Sequence, residues 1–498
     1  MHIGSERFSV GPGGDPLKTT TNREVGYRSM TIGTLAELAD VTGGWWAGME
    51  QQQAAGRRFS GVAIDSRVLK PGDAFFCLKG TKTDGHKFAR VAARRKAAVI
   101  VARKGRPGFA RPLHGVPVLR VTDPQAALCV WADSYRRKFT VRFAAVTGSV
   151  GKTSTKELLA SIFEQKYPTF KTPGNYNNLL GIPLALPLLT AKHRFGIVEM
   201  GMSSPGEIAR LTRMIDPELG IVTWIGPAHL EFFTDIRHIA RAKRELFDGM
   251  DPDGIGIVNI DNPILARWKE KMKRRIIGYS MNRKADVYAT DINVYPSKTV
   301  FRLNGKTLIS VPLTGRPAVA NVLAACAAAQ LYGIGIGKIR AGLSNVRLPA
   351  GRMTVRKNGS VTILDDTYNS NPISATAALE TLSALRPPGR KIACLGAMRE
   401  LGDSALQLHK DVGRAAAAHG VDVLLGVGYW GRQIVKGARE MRRNITTHVA
   451  ADVDQALAWL AGYVAAHDVI LVKASRAEGF DRVVRKLTAK RPGKTRVR

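Results

Sequence analysis

The stretch of this sequence most suggestive of chemistry is a glycine-rich loop that follows an apolar run. The run at 143–147 (FAAVT) leads into the loop, and a helical pattern extends from Lys152 to about residue 166. A strand, a loop and a helix in that order turn backbone N–H groups and a helix N-terminus toward phosphate oxygens. Lys152 then supplies positive charge for the outer phosphates, and the Thr153 hydroxyl is a ligand for magnesium. The predicted nucleotide-binding residues are Thr147, Gly148, Ser149, Val150, Gly151, Lys152, Thr153 and Ser154.

The loop departs from the usual phosphate-binding pattern. Val146 stands five positions before Gly151, where that pattern has a glycine. A Gly-Lys-Thr triplet also arises by chance, so the prediction of nucleotide binding depends on the strand and the helix on either side.

Three blocks of alternating strand and helix patterns predict an α/β protein with three domains. Short strand-like runs recur at 196–200, 220–224 and 256–259, then at 361–365, 391–395, 421–425 and 469–472. Segment 284–314 alternates like antiparallel strands and predicts a subdomain at the edge of the second block. The predicted divisions are a disordered extension (1–30, with Met30 an alternative start), an N-terminal α/β domain (31–140), a central P-loop domain with a parallel sheet (141–346), a C-terminal Rossmann-like domain (347–488) and a basic tail (489–498).

The composition is that of a soluble globular protein of the cytoplasm. Apolar residues make up 45% and charged residues 23%. The four cysteines lie far apart with no CxxC pair, which favours free thiols in a reducing compartment. No apolar run approaches the ~18 residues of a membrane span, and the N-terminal segment lacks the apolar core of a secretory signal.

The net charge is unusual for such a protein. The chain has 75 Lys and Arg against 40 Asp and Glu, a formal charge of +35. Clustered basic residues are typical of proteins that bind nucleic acid or a membrane surface. Here the excess is spread along the chain and no nucleic-acid-binding signature is present. We therefore expect no nucleic-acid partner, and the charge indicates a generally basic surface or one that attracts an anionic substrate.

Several longer motifs resemble the Mur ligases, the cytoplasmic enzymes that build the stem peptide of peptidoglycan. They are TGSVGKTS (147–154), KTPGNYNNLLGIPLAL (171–186), VEMGMSSPGEIARL (198–211) and the stretch GPAHLEFF…IARAKRELF (226–247). The resemblance extends from about residue 31 to residue 488. The lack of the first glycine in the loop is typical of the phosphate-binding loop of this family.

Within the family, the chain is most similar to the members that add D-alanyl-D-alanine. DDTYNSNP (365–372), LGAMRELG (395–402) and His409 carry this likeness, and the Asp-Asn-Pro-Arg motif of diaminopimelate-adding members is missing. The resemblance implies a monomer that uses ATP to join D-alanyl-D-alanine to UDP-N-acetylmuramoyl-tripeptide through an acyl phosphate. A Mur-like ligase with another amino acid or carboxylate, or a basic nucleotide-binding protein without catalysis, remain the alternatives.

The resemblance also implies roles for residues that are ambiguous by themselves. Glu199, at the end of a predicted strand, would bind magnesium together with Thr153, and a plain salt-bridge role is the less favoured alternative. His229 and Lys243 would also lie at the metal, with Lys243 carbamylated, since an ammonium group cannot bind a cation. Without the family, His229 is a structural hydrogen bonder and Lys243 a helix-surface lysine.

Further residues implied by the resemblance surround the nucleotide and the two other substrates. Arg352 would stabilise charge on the γ-phosphate, and Asp366 and Asn321 would contact the nucleotide. The implied substrate contacts are Ser66, Arg67, Asn175, Asn177, Asn178, Tyr368, Asn369, Asn371, Lys473 and Arg476. The asparagines at 369 and 371 are also typical turn formers.

Four positions in three motifs depart from the family pattern. Gly-Arg-His-Asn-x-x-Asn appears here with Pro317 and Ala318 in place of the histidine and the first asparagine. Ala397 stands where an aspartate is usual, and Ala474 where a glycine is usual. These departures put the details of the nucleotide site in doubt, most of all at Pro317 and Ala318.

Overall fold

The computed structural model describes residues 31–489 except 49, 55, 81, 82 and 229. The predicted extension at 1–30, nearly all of the predicted basic tail and His229 therefore lie outside the described residues. The described chain divides into two compact units. The first contains residues up to 143 with 170–198 and 209–216, and the second contains 144–169, 199–208 and residues from 217 onward.

Strands and helices alternate along most of the chain. The strands are β1 (Gly33–Thr34), β2 (Trp45–Trp46), β3 (Arg58–Phe59), β4 (Gly61–Ala63), β5 (Asp73–Phe76), β6 (Val99–Arg103), β7 (Val118–Val121), β8 (Arg142–Thr147), β9 (Thr169–Lys171), β10 (Phe195–Glu199), β11 (Leu219–Val222), β12 (Ile255–Asn259), β13 (Ile276–Ser280), β14 (Val287–Tyr295), β15 (Lys298–Leu303), β16 (Thr307–Val311), β17 (Thr354–Asn358), β18 (Val361–Asp365), β19 (Lys391–Leu395), β20 (Val423–Val427), β21 (Thr446–Ala450) and β22 (Val469–Lys473).

The helices between them vary from one turn to more than four. They are α1 (Leu35–Thr42), α2 (Gln51–Ala54), α3 (Ala89–Arg94), α4 (Pro124–Arg137), α5 (Lys152–Phe163), α6 (Gly181–Ala185), α7 (Glu207–Ile215), α8 (Ile236–Asp248), α9 (Pro263–Lys271), α10 (Arg316–Leu331), α11 (Ile336–Asn345), α12 (Pro372–Ala384), α13 (Ala405–Ala418), α14 (Gly428–Met441), α15 (Val453–Tyr463) and α16 (Asp481–Thr488). Short 3₁₀ helices occur at Gly85–Phe88, Leu186–Leu188, Gly402–Ser404 and Arg476–Glu478. None of the described helices is long and apolar enough to cross a membrane.

Three larger sheets organise these elements, as expected of an α/β protein. Their strand orders are β2-β7-β6-β5-β4, then β16-β15-β14-β13-β12-β11-β8 within the second unit, and β17-β18-β22-β19-β20-β21. In the first, β4 to β7 are parallel, and the apolar side chains of β5, β6 and β7 pack with the alanines of α3.

The second unit begins with the strand that leads into the glycine loop. β8 is buried along all but its first residue, which is typical of a strand covered on both faces. Its parallel neighbour in this unit is β11, followed by β12 and β13. Strands β14, β15 and β16 pair antiparallel to one another, which confirms the expectation for 284–314.

The six-stranded sheet is Rossmann-like because helices cover both faces. Leu364, Leu424 and Leu471 pack on one face with α12, α13 and α14, whereas Ile363 and Ile470 pack on the other with α15 and α16. The strands expected at 361–365, 391–395, 421–425 and 469–472 appear as β18, β19, β20 and β22. Two edge strands were not predicted from the sequence: β17, which pairs antiparallel with β18, and β21, which pairs parallel with β20.

Candidate active site

The phosphate-type loop connects the end of β8 to the start of α5, and both of its glycines are required by their surroundings. Gly148 has φ +151°, and a Cβ there would lie 2.0 Å from Thr223 Oγ1. Gly151 has φ +83°, and a Cβ there would lie 2.5 Å from Asn321 Oδ1. The turn therefore approaches two neighbouring elements so closely that only glycine fits.

Residues just after β11 hold the loop from one side. Ser149 N donates to Trp224 O (2.8 Å), and the Ser149 hydroxyl bonds the backbone O of Gly226 (3.0 Å). The Thr223 hydroxyl donates to Val150 O (2.5 Å). Since β11 lies parallel to β8, its C-terminal end meets the loop at the same edge of the sheet. This support was not predicted from the sequence, although 220–224 was predicted as a strand.

Lys152, the first residue of α5, lies among charged groups from several parts of the chain. Its ammonium group donates to Gly148 O (2.7 Å). Desolvation lowers the pKa of Lys152 most, Glu199 and Glu400 raise it, and Arg352 lowers it further. Glu400 was not named as a site residue from the sequence, although it lies within the LGAMRELG motif.

Lys243 is a buried lysine rather than the surface lysine that the sequence by itself suggested. It lies on α8 with a side chain 2% exposed. Desolvation holds its pKa well below the usual range, and the positive charge of Lys152 lowers it further. An ordinary ammonium group is therefore disfavoured at this position.

Thr153 and Glu199 offer oxygen atoms near the loop. Thr153 is the second residue of α5 and is 3% exposed, and Glu199 is the last residue of β10 and is 2% exposed. Among the described residues, no group of three or more His, Cys, Asp or Glu is arranged to hold a metal ion. One carboxylate and one hydroxyl, both hard oxygen donors, suit magnesium, which usually keeps phosphate and water as its other ligands.

Arg352 connects the third block of the sequence to the loop. Its guanidinium group donates to Thr153 Oγ1 (3.0 Å) and lies over the ring of Tyr368, 3.8 Å from the centroid. Asn371 Nδ2 approaches Ser149 O at 3.5 Å, the limit of a hydrogen bond. The structure thus brings three predicted residues of the third block, Arg352, Tyr368 and Asn371, to the loop or to one another beside it.

Asp366 is held by protein groups on both carboxylate oxygens. Oδ1 accepts from Met353 N (3.0 Å), and Oδ2 lies 2.5 Å from Lys473 Nζ. Lys473 also donates to Asn369 O (2.9 Å), and Arg476 lies over the ring of Tyr368 at 5.1 Å. These contacts give Asp366 and Lys473 a clear structural function in the loops of the C-terminal sheet.

Asn321 supports the helix that follows the loop. Its side-chain oxygen accepts from Thr155 Oγ1 (3.2 Å) on α5. Pro317 lies in the first turn of α10, where the fixed φ of proline is compatible with a helix and little hydrogen bonding is lost. The two departures at 317 and 318 therefore leave the start of α10 intact.

The other predicted substrate residues lie in the first unit. Ser66 is buried, and the Arg67 guanidinium group is paired with Asp65 at 2.6 Å. Asn178 Oδ1 accepts from Leu180 N (3.1 Å) and Gly181 N (2.8 Å), the turn-forming function of an asparagine. Asn175 is exposed and Asn177 is half-buried in the same segment.

Comparison with known proteins decides the family. The descriptions "Mur ligase family, catalytic domain", "Mur ligase middle domain" and "Mur ligase, glutamate ligase domain" match residues 58–133, 146–329 and 351–476. This chain belongs to the Mur ligase family. The three matched ranges contain strands of the three larger sheets described above.

Individual relatives are similar along nearly their whole length. The chain is 35% identical to the UDP-N-acetylmuramoyl-tripeptide–D-alanyl-D-alanine ligase of Escherichia coli, over 91% of this chain and 98% of that one. A crystal structure of MurF from Acinetobacter baumannii matches with a TM-score of 0.83 and 30% identity, covering 91% and 98% of the two chains. The MurF ligase of Thermotoga maritima in complex with ADP matches with a TM-score of 0.75 and 28% identity, covering 86% and 97%.

Proposed function

We propose that this chain joins D-alanyl-D-alanine to UDP-N-acetylmuramoyl-tripeptide and uses one ATP for each amide bond. The observation that carries the proposal is the contact of Arg352 with Thr153, beside Lys152, in a chain 35% identical over 91% of its length to the E. coli ligase of that name. A carboxylate is a poor electrophile, so it must be activated before an amine can attack it.

In the first step, a carboxylate oxygen of the tripeptide attacks the γ-phosphorus of ATP, and ADP leaves with the electrons of the broken P–O bond. Two anions approach each other, so the barrier falls where positive charge is already in place. The backbone N–H groups at the start of α5, Lys152 and Arg352 supply that charge. Thr153, Glu199 and His229 would hold magnesium, which would supply further positive charge to neutralise the phosphates.

In the second step, the amine of D-alanyl-D-alanine attacks the acyl carbon, phosphate leaves and the amine loses a proton. Asn369, Asn371, Lys473 and Arg476 lie at or beyond the C-terminal ends of β18 and β22 and are the proposed contacts of the dipeptide. Open α/β sheets bind ligands at such strand ends.

Lys243 is proposed to act as a carbamate. Its depressed pKa favours the neutral amine, whose lone pair attacks CO₂ to form an N–C bond with loss of a proton. The resulting anion would lie near the positive charge of Lys152, in place of a second cation. Growth of the carbonyl signal after addition of ¹³C-bicarbonate, seen by NMR in the wild type and missing in Lys243→Met, tests this assignment.

The remaining assignments give each predicted domain one substrate. Residues 31–140, with Ser66 and Arg67, are proposed to bind the UDP-sugar, helped by Asn175, Asn177 and Asn178 of the segment after α5. Residues 141–346 are proposed to bind ATP, and residues 347–488 are proposed to bind the dipeptide. Asn321 of the first range and Asp366 of the second are proposed to contact the nucleotide. The enzyme is proposed to act as a cytoplasmic monomer that binds no nucleic acid.

The experiment that tests the function is release of phosphate with UDP-N-acetylmuramoyl-tripeptide and one of three amines. We expect turnover with D-alanyl-D-alanine, and much less with diaminopimelate or L-lysine. Turnover with another amine would identify a Mur-like ligase of different specificity. Lack of turnover together with tight, steeply salt-dependent DNA binding would instead favour the basic nucleotide-binding protein.

A further inference from the structure

The ring of Tyr368 lies against two guanidinium groups. Arg352 is 3.8 Å from the ring centroid and Arg476 is 5.1 Å from it. Arginine is attracted to the face of an aromatic ring by the ring's quadrupole, and more strongly where water is excluded. Arg352 is half-buried whereas Arg476 is exposed, so the contact with Arg352 is the better shielded of the two.

The backbone on both sides of Arg352 is tied to the segment that carries Tyr368. Tyr368 N donates to Gly351 O (3.0 Å), and Met353 N donates to Asp366 Oδ1 (3.0 Å). A Cβ at Gly351, which has φ +76°, would lie 2.8 Å from Tyr368 N. The ring and the arginine are therefore in fixed register, with one hydrogen bond before Arg352 and one after it.

Lys473, at the end of β22, anchors the same segment. The ammonium group lies 2.5 Å from Asp366 Oδ2 and 2.9 Å from Asn369 O, so it grips the chain on both sides of Tyr368. Lys473 is buried, and its strand β22 is a central strand of the six-stranded sheet. This support holds in place the backbone from which the ring of Tyr368 extends toward Arg352.

The guanidinium group of Arg352 has few other restraints. Its Nη2 donates to Thr153 Oγ1 (3.0 Å), whereas its buried Nε has no acceptor among the described residues. Thr153 lies in the first turn of α5 and contacts only one end of the group. The ring is accordingly the surface that sets the plane of the guanidinium group.

We propose that Tyr368 is a positioning residue whose ring holds Arg352 against the phosphate loop. The assignment rests on the proposed function and deepens it, because Arg352 is the group proposed to meet the γ-phosphate. It also replaces the expectation from the sequence that Tyr368 contacts the dipeptide. What matters in Tyr368 is then the face of the ring and not the hydroxyl.

Three single variants distinguish a ring that positions Arg352 from a side chain that contacts the dipeptide. Tyr368→Phe keeps the ring face, and we expect kcat within about twofold of the wild type. Tyr368→Leu removes it, and we expect kcat to fall about 10-fold with KM for D-alanyl-D-alanine unchanged, the size of a shielded cation–π contact. Tyr429→Leu is the matched control, because Tyr429 is an exposed tyrosine on α14. If Phe is as slow as Leu, or if Leu acts on the KM of the dipeptide, the proposal is wrong.

A graded series avoids any loss of folding in the leucine variant. Phenylalanines with increasing fluorination at position 368 keep the shape of the ring and withdraw charge from its face. We expect kcat to fall steadily along this series, and a flat response would overturn the proposal. In an Arg352→Ala background, Tyr368→Leu should cause no further loss, whereas two independent residues would multiply their effects.

A binding measurement separates this proposal from the proposed function. Arg352 meets the γ-phosphate, so Tyr368→Leu should reduce the preference for a non-hydrolysable ATP analogue over ADP about 10-fold in calorimetry. If the wild type turns over no amine but the preference still falls, the positioning stands and the assigned reaction fails. If turnover is normal and the preference is unchanged in Tyr368→Leu, the reaction stands and the positioning fails.

Discussion

The guanidinium group of Arg352 donates a 3.0 Å hydrogen bond to the hydroxyl of Thr153, although 199 positions separate the two residues. The contact joins the start of the third sequence block to the first turn of the phosphate-loop helix. The Thr153 hydroxyl still has its own proton and a second lone pair, so it is able to meet Arg352 and another ligand at once. This combination predicts that the hydroxyl matters more than the bulk of the side chain.

The first prediction concerns that hydroxyl. Thr153→Ser should keep kcat within a few-fold, whereas Thr153→Ala should reduce kcat about 100-fold and raise the magnesium concentration needed for half-maximal activity. The measurement is phosphate release during a magnesium titration. Equal activity of the serine and alanine variants would exclude a function of the hydroxyl in catalysis.

The second prediction concerns Lys152. Lys152→Ala removes the side-chain charge nearest the loop, and we expect ADP release to be abolished while the melting temperature stays close to that of the wild type. Lys338→Ala, an exposed lysine on α11, is the control and should be as active as the wild type. Near-normal turnover of Lys152→Ala would contradict the mechanism.

The local elements of this site were predictable from the sequence, but its long-range support was not. The apolar run at 143–147 and the helical pattern from Lys152 correspond to β8 and α5 because both patterns are local. Thr223, whose hydroxyl bonds the loop, has no signature of its own, since its function depends on β11 lying beside β8. Lys243 was assigned through the family resemblance alone, because burial of one lysine is a property of the packed fold.

The departures from the family pattern show the same limit. Pro317 departs from the family pattern, yet it occupies a helix turn that accepts proline. Asn321, further along α10, contacts Thr155 of α5, and nothing in the sequence marked Thr155 as part of the site. One-dimensional spacing predicts which residues share an element, and it does not predict which elements exchange hydrogen bonds.

The third prediction concerns the turn at Gly148. Gly148→Ala should weaken ADP binding more than 10-fold in calorimetry, because a Cβ would lie 2.0 Å from Thr223 Oγ1. Gly359→Ala is the matched control, since Gly359 has φ +58° with nothing within 4 Å of a Cβ. That variant carries backbone strain alone, about 1–2 kcal/mol, and should bind ADP normally. If both variants bind equally well, the closeness of Thr223 is unimportant.

The fourth prediction concerns His409 and the dependence of stability on pH. Its Nε2 accepts from Met398 N (2.9 Å), its Nδ1 donates to Ala405 O (2.6 Å), and its ring stacks on Trp430. Burial lowers the pKa of His409, and the Ala405 carbonyl partly opposes this. Below its usual pKa, the unfolded chain therefore binds a proton that the folded chain does not. Stability should fall as the pH drops through about 6.5.

His409→Gln isolates this contribution from other titrating groups. The amide oxygen of glutamine accepts a hydrogen bond without titrating. Because a single glutamine does not reproduce both hydrogen bonds of the imidazole, we expect the free energy of unfolding at pH 7.5 to be about 1 kcal/mol lower. The difference in free energy of unfolding between wild type and variant should shrink as the pH falls from about 7 to about 5.5. Chemical denaturation at several pH values measures it. A constant difference would mean that His409 titrates normally in the folded chain.

The fifth prediction concerns Lys243. Lys243→Met replaces the buried amine with an apolar side chain of similar length, and we expect turnover to fall at least 100-fold. We also expect the free energy of unfolding at pH 7 in CO₂-free buffer to stay level or rise by about 1–2 kcal/mol. An inactive but fully stable variant would separate the chemical function of Lys243 from any structural one.

The sign of the pH dependence follows from the depressed pKa of Lys243. Between that pKa and about 10.4, the unfolded chain holds a proton that the folded chain lacks, so the wild type should gain stability relative to Lys243→Met as the pH rises. Bicarbonate should stabilise and activate the wild type and leave the variant unchanged, because carbamate formation consumes the neutral amine. A variant less stable than the wild type in CO₂-free buffer would mean that the ammonium group itself is stabilised in the fold. An unchanged wild type in bicarbonate would rule out the carbamate.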